Sequence, residues 1–202
     1  FFFTLKRLGV PVTPTAFLRL HRALETDRTA FLARRRLPTG KVEGISRELA
    51  DILFACDRVD HLLVEADGAA RRPLKAPESF EPVLPGRVTH VVAMAGLDAL
   101  GKTLEGDLVF RMDRFQAVTG LGPGDLLCAG PLVSLFTHDR GLFQGTPKGV
   151  RRTVFLNRLD LAEALEEAQD LATGILASPA GRNVDVILGS LVQQQYTRMT
   201  RT

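Results

Sequence analysis

The chain has 202 residues, 45% hydrophobic and 24% charged, which suits one soluble globular domain with a core of its own. Its apolar runs fall short of the ~18 residues of a membrane span, and the basic residues follow Phe1-Phe2-Phe3 instead of preceding it, the reverse of a secretory signal. The net charge of +3 and the pI near 9.2 favour anionic ligands, but with one tyrosine, no tryptophan and no aromatics among the basic runs, nucleic acid is not expected as a partner. Cys56 and Cys128 are far apart, and His21, His61, His90 and His138 are scattered. The cysteines read as small buried hydrophobes of a reducing, cytoplasmic compartment, and no zinc signature is present.

In chain order, Phe1 to Thr4 is strand-like and Leu5 to Gly9 reads as the last turn of a helix with its glycine stop. A helix end with almost no helix before it points to missing sequence. Val10 to Val12 reads as a short strand, Thr13-Pro14-Thr15 as a loop, and Ala16 to Leu37 as helical in part, broken by Pro38-Thr39-Gly40. Between Gly44 and Cys56, Ile45, Leu49, Ile52, Leu53 and Cys56 form one face of an amphipathic helix.

The stretch His61 to Ala69 concentrates the chemistry. Leu62 to Val64 is an apolar run that reads as a buried strand. Glu65 and Asp67 follow two residues apart, on one side of an extended backbone, and Gly68 lets the chain turn. Ligands of open α/β sheets sit outside the carboxyl ends of the strands. An acidic pair there could hold Mg2+, which takes one or two carboxylates plus substrate phosphates. Arg71, Arg72 and Lys75 come directly behind it as donors for an anion. The alternative is that Asp67 satisfies loop amides and the bases are a solvated face.

Residues 71–87 hold Pro73, Pro77, Pro82 and Pro85 and read as an irregular excursion. His90 to Ala95 is the next strand, Asp113 to Thr119 a short helix, and Gly120 to Gly124 a loop. Pro131 opens a helix through His138. Val150 to Leu156 is a strand, Leu161 to Leu176 a helix, and Val184 to Leu188 the last strand. The alternation predicts an α/β fold with a mostly parallel sheet and helices on both faces, in a single domain carrying the proline-rich excursion.

Gly96 to Thr103, Gly-Leu-Asp-Ala-Leu-Gly-Lys-Thr, fits the phosphate-binding loop pattern letter for letter after a strand. Three features oppose that reading. Gly106 and Asp107 follow where a long helix should start, the loop interior is bulky, and the acidic strand comes before this lysine. An intermediate case is a loop that lends Asp98 or Lys102 to the cleft. Asn157 and Asp160 form an Asn-x-x-Asp after a buried strand. In GTP-binding proteins this spacing reads guanine, the carboxylate taking the ring N–H and the amine. Equally, Asp160 is a good N-cap for a helix from Leu161, with Glu163 completing a capping box. The two roles are compatible.

Taken together, Val64-Glu65-Ala66-Asp67-Gly68, Pro73-Leu74-Lys75-Ala76-Pro77, Glu81-Pro82-Val83, the run Ala95 to Lys102, and Leu156-Asn157-Arg158-Leu159-Asp160 resemble the motifs of the YqeC-like proteins over roughly residues 42 to 190. The resemblance implies a P-loop NTPase-like three-layer fold and a role as an accessory factor of selenium-dependent molybdenum hydroxylases, with nucleotide-dependent help in cofactor assembly. On that reading Glu65 and Asp67 hold or orient Mg2+, Lys75 and Arg71 steady phosphate, and Asn157 and Asp160 contact the base of ATP or GTP. Gly68, Asp98 and Lys102 are secondary candidates. The implied partners are the hydroxylase or its cofactor-assembly proteins. The sequence departs from the family pattern in lacking its N-terminal glycine-rich loop ending in Gly-Lys-Thr, which precedes a helix and a Thr-rich strand end; Thr13-Pro14-Thr15 would be the remnant of that Thr-rich segment. The rival function is a non-catalytic adaptor or carrier docking through the excursion and its bases.

Overall fold

The computed structural model describes residues 32–38, 42–57 and 59–201. The strand, helix end, strand and loop expected before residue 16, and most of the helix expected from Ala16, lie outside the described residues. The chain divides into two compact units, Phe1–Val64 with Pro85–Arg87, and Glu65–Leu84 with Val88–Thr202.

In the first unit, β1 (Arg35–Arg36) pairs antiparallel with β2 (Val42–Glu43). The end of the stretch expected to be helical is therefore a hairpin strand. The amphipathic helix forms as α1 (Arg47–Phe54), and Ser46 caps it by accepting the Leu49 N–H at 3.2 Å. Asp51 on α1 accepts the N–H groups of Gly86 and Arg87, at 3.0 and 2.8 Å. Leu62 to Val64 is not a strand: it has no regular structure and Leu63 is 94% exposed. An apolar run becomes a strand only where a neighbour takes up its N–H and C=O groups, and among the described residues no strand pairs with it.

The second unit is built on a four-stranded sheet. Its strands are β4 (His90–Gly96), β6 (Arg151–Asn157), β7 (Val184–Ser190) and β8 (Gln195–Met199), in that spatial order. The first three are parallel, while β8 runs antiparallel to β7. A two-stranded parallel pair joins β3 (Leu74–Lys75) to β5 (Val109–Phe110). The fold is α/β, but its sheets are mixed, which corrects the expectation of a mostly parallel sheet. The cause is connection length. Only residues 191–194 separate β7 from β8, enough for a hairpin and too few for a parallel crossover.

Four α-helices are described. After α1 come α2 (Met112–Thr119), α3 (Ala129–Thr137) and α4 (Leu165–Ala177). Helix α2 stops at Gly120, whose φ of 78° suits a residue without a side chain. Helices α3 and α4 pack on each other, and α4 packs on β7. Val91, Ala93 and Ala95 of β4, Val154 and Leu156 of β6, and Val186 and Leu188 of β7 share one sheet face in register. They form the core with Leu132, Leu135, Leu171 and Ile175 of the helices. On the opposite face Val92 and Met94 are half exposed. That face holds a shallow open depression of about 250 Å³ lined by His90, Arg151, Thr153, Phe155 and Asp185. His90 lies within 2.8 Å of the Thr153 hydroxyl, and burial, then the nearby Arg151, pushes its pKa down.

Candidate functional site

The expected site residues fall into two groups, both in the second unit. The first surrounds the acidic stretch. Residues 65–73 carry no regular structure, and Ala70 and Arg71 are both left-handed, with φ of 50° and 64°. This tight reversal is closed by a 2.9 Å bond from the Arg72 N–H to the Ala69 carbonyl, and it returns the chain so that Lys75 on β3 reaches back to Asp67. Lys75 is 5% exposed. A buried ammonium must be paired to remain charged, and this one is. Its Nζ lies 2.9 Å from Asp67 Oδ2 and 3.2 Å from Glu81 Oε2, and donates to the Gly68 carbonyl at 2.9 Å. Two of its N–H groups donate, to Gly68 and Glu81, and Asp67 adds an ion pair.

Glu81, which the sequence marked only within the Glu81-Pro82-Val83 motif and gave no role, is the hub. Arg111 grips both its carboxylate oxygens, with Nη2 at 2.7 Å from Oε1 and Nη1 on Oε2. The Arg111 guanidinium, and after it Lys75, hold the Glu81 pKa down at about 2 against burial, and the same bond raises that of Arg111. Arg114 reaches Glu78 at 2.7 Å, and the Gln144 amide donates to the carbonyls of Glu78 and Glu81 at 2.8 and 2.6 Å. The Phe110 ring lies beneath Arg111, 4.8 Å from its Cζ. No sequence signal short of pairing a buried lysine with distant bases and acids would have found this network, because Arg111 lies 30 residues beyond Glu81.

Asp67 and Lys75 are thus brought together. Glu65 is exposed and makes no hydrogen bond or ion pair among the described residues, although its Oε1 comes within 4.0 Å of where a side chain on Gly68 would begin. Among the described residues no group of three His, Cys, Asp or Glu side chains is placed to hold a metal ion. The fit to Mg2+ is therefore partial. Asp67 has Oδ1 outside its ion pair and Glu65 has no partner among the described residues, so the two could supply carboxylate ligands, with phosphate oxygens needed for the rest.

The second group lies at the carboxyl ends of β4 and β6. Gly96 ends β4, and its N–H donates to the Pro73 carbonyl at 2.8 Å, joining β4 to the acidic segment's return. Only glycine fits here. A Cβ on Gly96 would lie 2.5 Å from Asp98 Oδ1 and 2.8 Å from Pro73 Cβ. Asp98 Oδ2 accepts from Arg158 Nη1 at 2.8 Å, while Oδ1 is buried with no hydrogen-bond partner among the described residues. Arg158 is left-handed, with φ of 64°, a conformation that non-glycine residues hold only when their surroundings fix it. Asn157, the last residue of β6, accepts the Leu191 N–H on Oδ1 at 3.1 Å and so ties β6 to the turn after β7.

Asp160 sits in a single 3-10 turn, Leu159–Leu161. The helix expected from Leu161 starts at Leu165 instead, and its N-cap position is Ala164, with no side-chain cap. Asp160 therefore caps no helix. It is exposed and makes no hydrogen bond or ion pair among the described residues. The phosphate-loop match from Gly96 to Thr103 is not a cradle: the N–H groups of Leu100, Gly101 and Lys102 donate to the carbonyls of Leu97, Leu127 and Ala99. Leu97, Ala99 and Leu100 belong to the core. Lys102 is half-buried beside this turn, and Thr103 bridges to Leu126.

Residues 11–113 match the family described as YqeC protein. That span includes the acidic stretch and Asp98 and stops short of Asn157 and Asp160. A curated relative from Escherichia coli (strain K12), named "Uncharacterized protein YqeC", is 39% identical over 124 residues, which are 61% of this chain and 48% of the relative. The chain thus spans about half the length of the curated relative it matches. No solved structure matches it. With half of its length matched, including the acidic stretch and the lysine that binds it, the chain belongs to the YqeC family.

Proposed function

We propose that this protein is a nucleotide-binding accessory factor for the maturation of a selenium-dependent molybdenum hydroxylase, with slow Mg2+-dependent hydrolysis of ATP or GTP. The observation that carries this reading is the gathering of Asp98, Asn157, Arg158 and Asp160 at the carboxyl ends of two adjacent parallel strands, β4 and β6, the place where open α/β sheets bind ligands. The reading takes the fold as P-loop NTPase-like, in the cytoplasm, with Asp67 and Glu65 toward the metal, Arg71 and Lys102 toward phosphate, and the hydroxylase or a cofactor-assembly protein as partner. Lys75 has a supporting part, since its N–H groups already face protein acceptors.

That same commitment of Lys75 favours a second reading, a non-catalytic adaptor in which the excursion is a rigid docking element. Calorimetry on the full-length gene product, with ATP or GTP and Mg2+, separates the two. Magnesium-dependent binding that is lost in Asp67→Ala supports the nucleotide reading. Absence of binding by well-folded protein leaves the adaptor.

A further inference from the structure

We infer that the nucleotide is read as guanine, by Asp160 at the end of β6, with Asn157 as the positioning residue. This rests on the nucleotide reading above and deepens it. The Asn-x-x-Asp spacing has two explanations, a helix cap or a base reader, and the structure removes the first. Helix α4 begins four residues after Leu161 and is not capped by any side chain, so the Asp160 carboxylate has no structural task among the described residues.

What remains is an exposed carboxylate without a partner among the described residues, on a backbone turn that its neighbours hold. Asn157 holds the end of β6 to the turn after β7 through the 3.1 Å bond to Leu191. The Ser190 hydroxyl accepts the Gln193 N–H at 3.1 Å and shapes that turn. Arg158 is fixed in its left-handed conformation by Asp98, and the 3-10 turn bearing Asp160 packs against β7 and against Leu97–Ala99. Leu161, Leu191 and Val192 are exposed apolar side chains at this end of the sheet.

The chemistry selects the purine. An ionised carboxylate only accepts hydrogen bonds, on two oxygens. The pairing edge of guanine presents two adjacent donors, N1–H and the exocyclic amine, which one carboxylate can take together. Adenine presents a lone pair at N1, which would face the carboxylate. Discrimination therefore comes from repulsion of the wrong base as well as attraction of the right one.

The test is titration of the full-length protein with the Mg2+ complexes of GTP, ATP, inosine triphosphate and xanthosine triphosphate. GTP should bind about 10- to 100-fold more tightly than ATP, the range set by charge-assisted hydrogen bonds at an exposed site. Inosine triphosphate, which lacks the amine, should fall between them. Asp160→Asn, with unchanged melting temperature, should lose preference for GTP and gain affinity for xanthosine triphosphate, whose carbonyl replaces the amine. Equal affinity for ATP and GTP, or a preference unchanged by Asp160→Asn, overturns the guanine assignment and leaves nucleotide binding standing. Failure of every nucleotide to bind overturns both.

Discussion

The two groups of carboxylates in the second unit differ in how far their bonding capacity is used. Around Lys75, the acids Asp67, Glu78 and Glu81 are matched by Lys75, Arg111 and Arg114, and Gln144 ties down the backbone between them. At the strand ends, one oxygen of Asp98 is buried without a partner and Asp160 engages nothing among the described residues. A run of acids and bases close in sequence is the more conspicuous pattern, yet here much of it folds upon itself. Groups left with unused acceptors at a sheet's carboxyl edge are the better ligand candidates, because a buried or rigid acceptor without a donor gains most from a ligand that brings one.

The sharpest way to break this comparison is to remove the hub of the satisfied network. Glu81→Ala leaves Lys75 buried and Arg111 without its carboxylate. Because Asp67 and the Gly68 carbonyl still face Lys75, the loss should be about 3 kcal/mol, the cost of leaving charged donors short of an acceptor, read as a fall in urea midpoint. If the midpoint barely moves, the network is a surface feature. The next effect is steric. Gly96→Ala drives a Cβ against Asp98 and Pro73 and should cost about 1–3 kcal/mol by overpacking, measured by thermal unfolding.

A third prediction uses pH. The folded-state pKa of Glu81 lies at about 2, below its ordinary 4.5. The unfolded chain therefore binds the proton first. The stabilisation is complete above about pH 4.5 and is lost as pH falls toward about 2. About 1–2 kcal/mol should disappear across that window once solvent screening is allowed for, and Glu81→Gln should flatten this part of the profile. The smallest effect on stability belongs to the other group. Asp160→Ala should change it by less than about 0.5 kcal/mol while reducing GTP affinity, since its side chain supports nothing in the fold. A large loss of stability in this variant would show that Asp160 is structural after all.

Elements whose signal is local were legible in the sequence. Helix α1 was, because its apolar spacing from Ile45 to Cys56 lies in one contiguous stretch. Strands β4, β6 and β7 were, because each is an apolar run buried by its neighbours. Strand β8 was not, since Gln195 to Met199 is a mostly exposed edge with a polar sequence, and only its pairing to β7 makes it a strand. The reverse error occurred at Leu62 to Val64, where an apolar run finds no strand to pair with among the described residues. In the candidate site, Asn157, Asp160, Asp67 and Lys75 stood out by type and spacing, whereas Glu81 and Arg111 acquired their importance only by meeting across 30 residues.

By itself the sequence determined the α/β class, the family resemblance and the residue types able to do chemistry, because hydrophobic period, turn residues and short motifs are written in contiguous stretches. The tertiary structure decided the mixed sense of the sheets and which acids are neutralised and which are left open. Those outcomes depend on which distant side chains share a buried space, where an ammonium must find its carboxylates and a strand must find its neighbour.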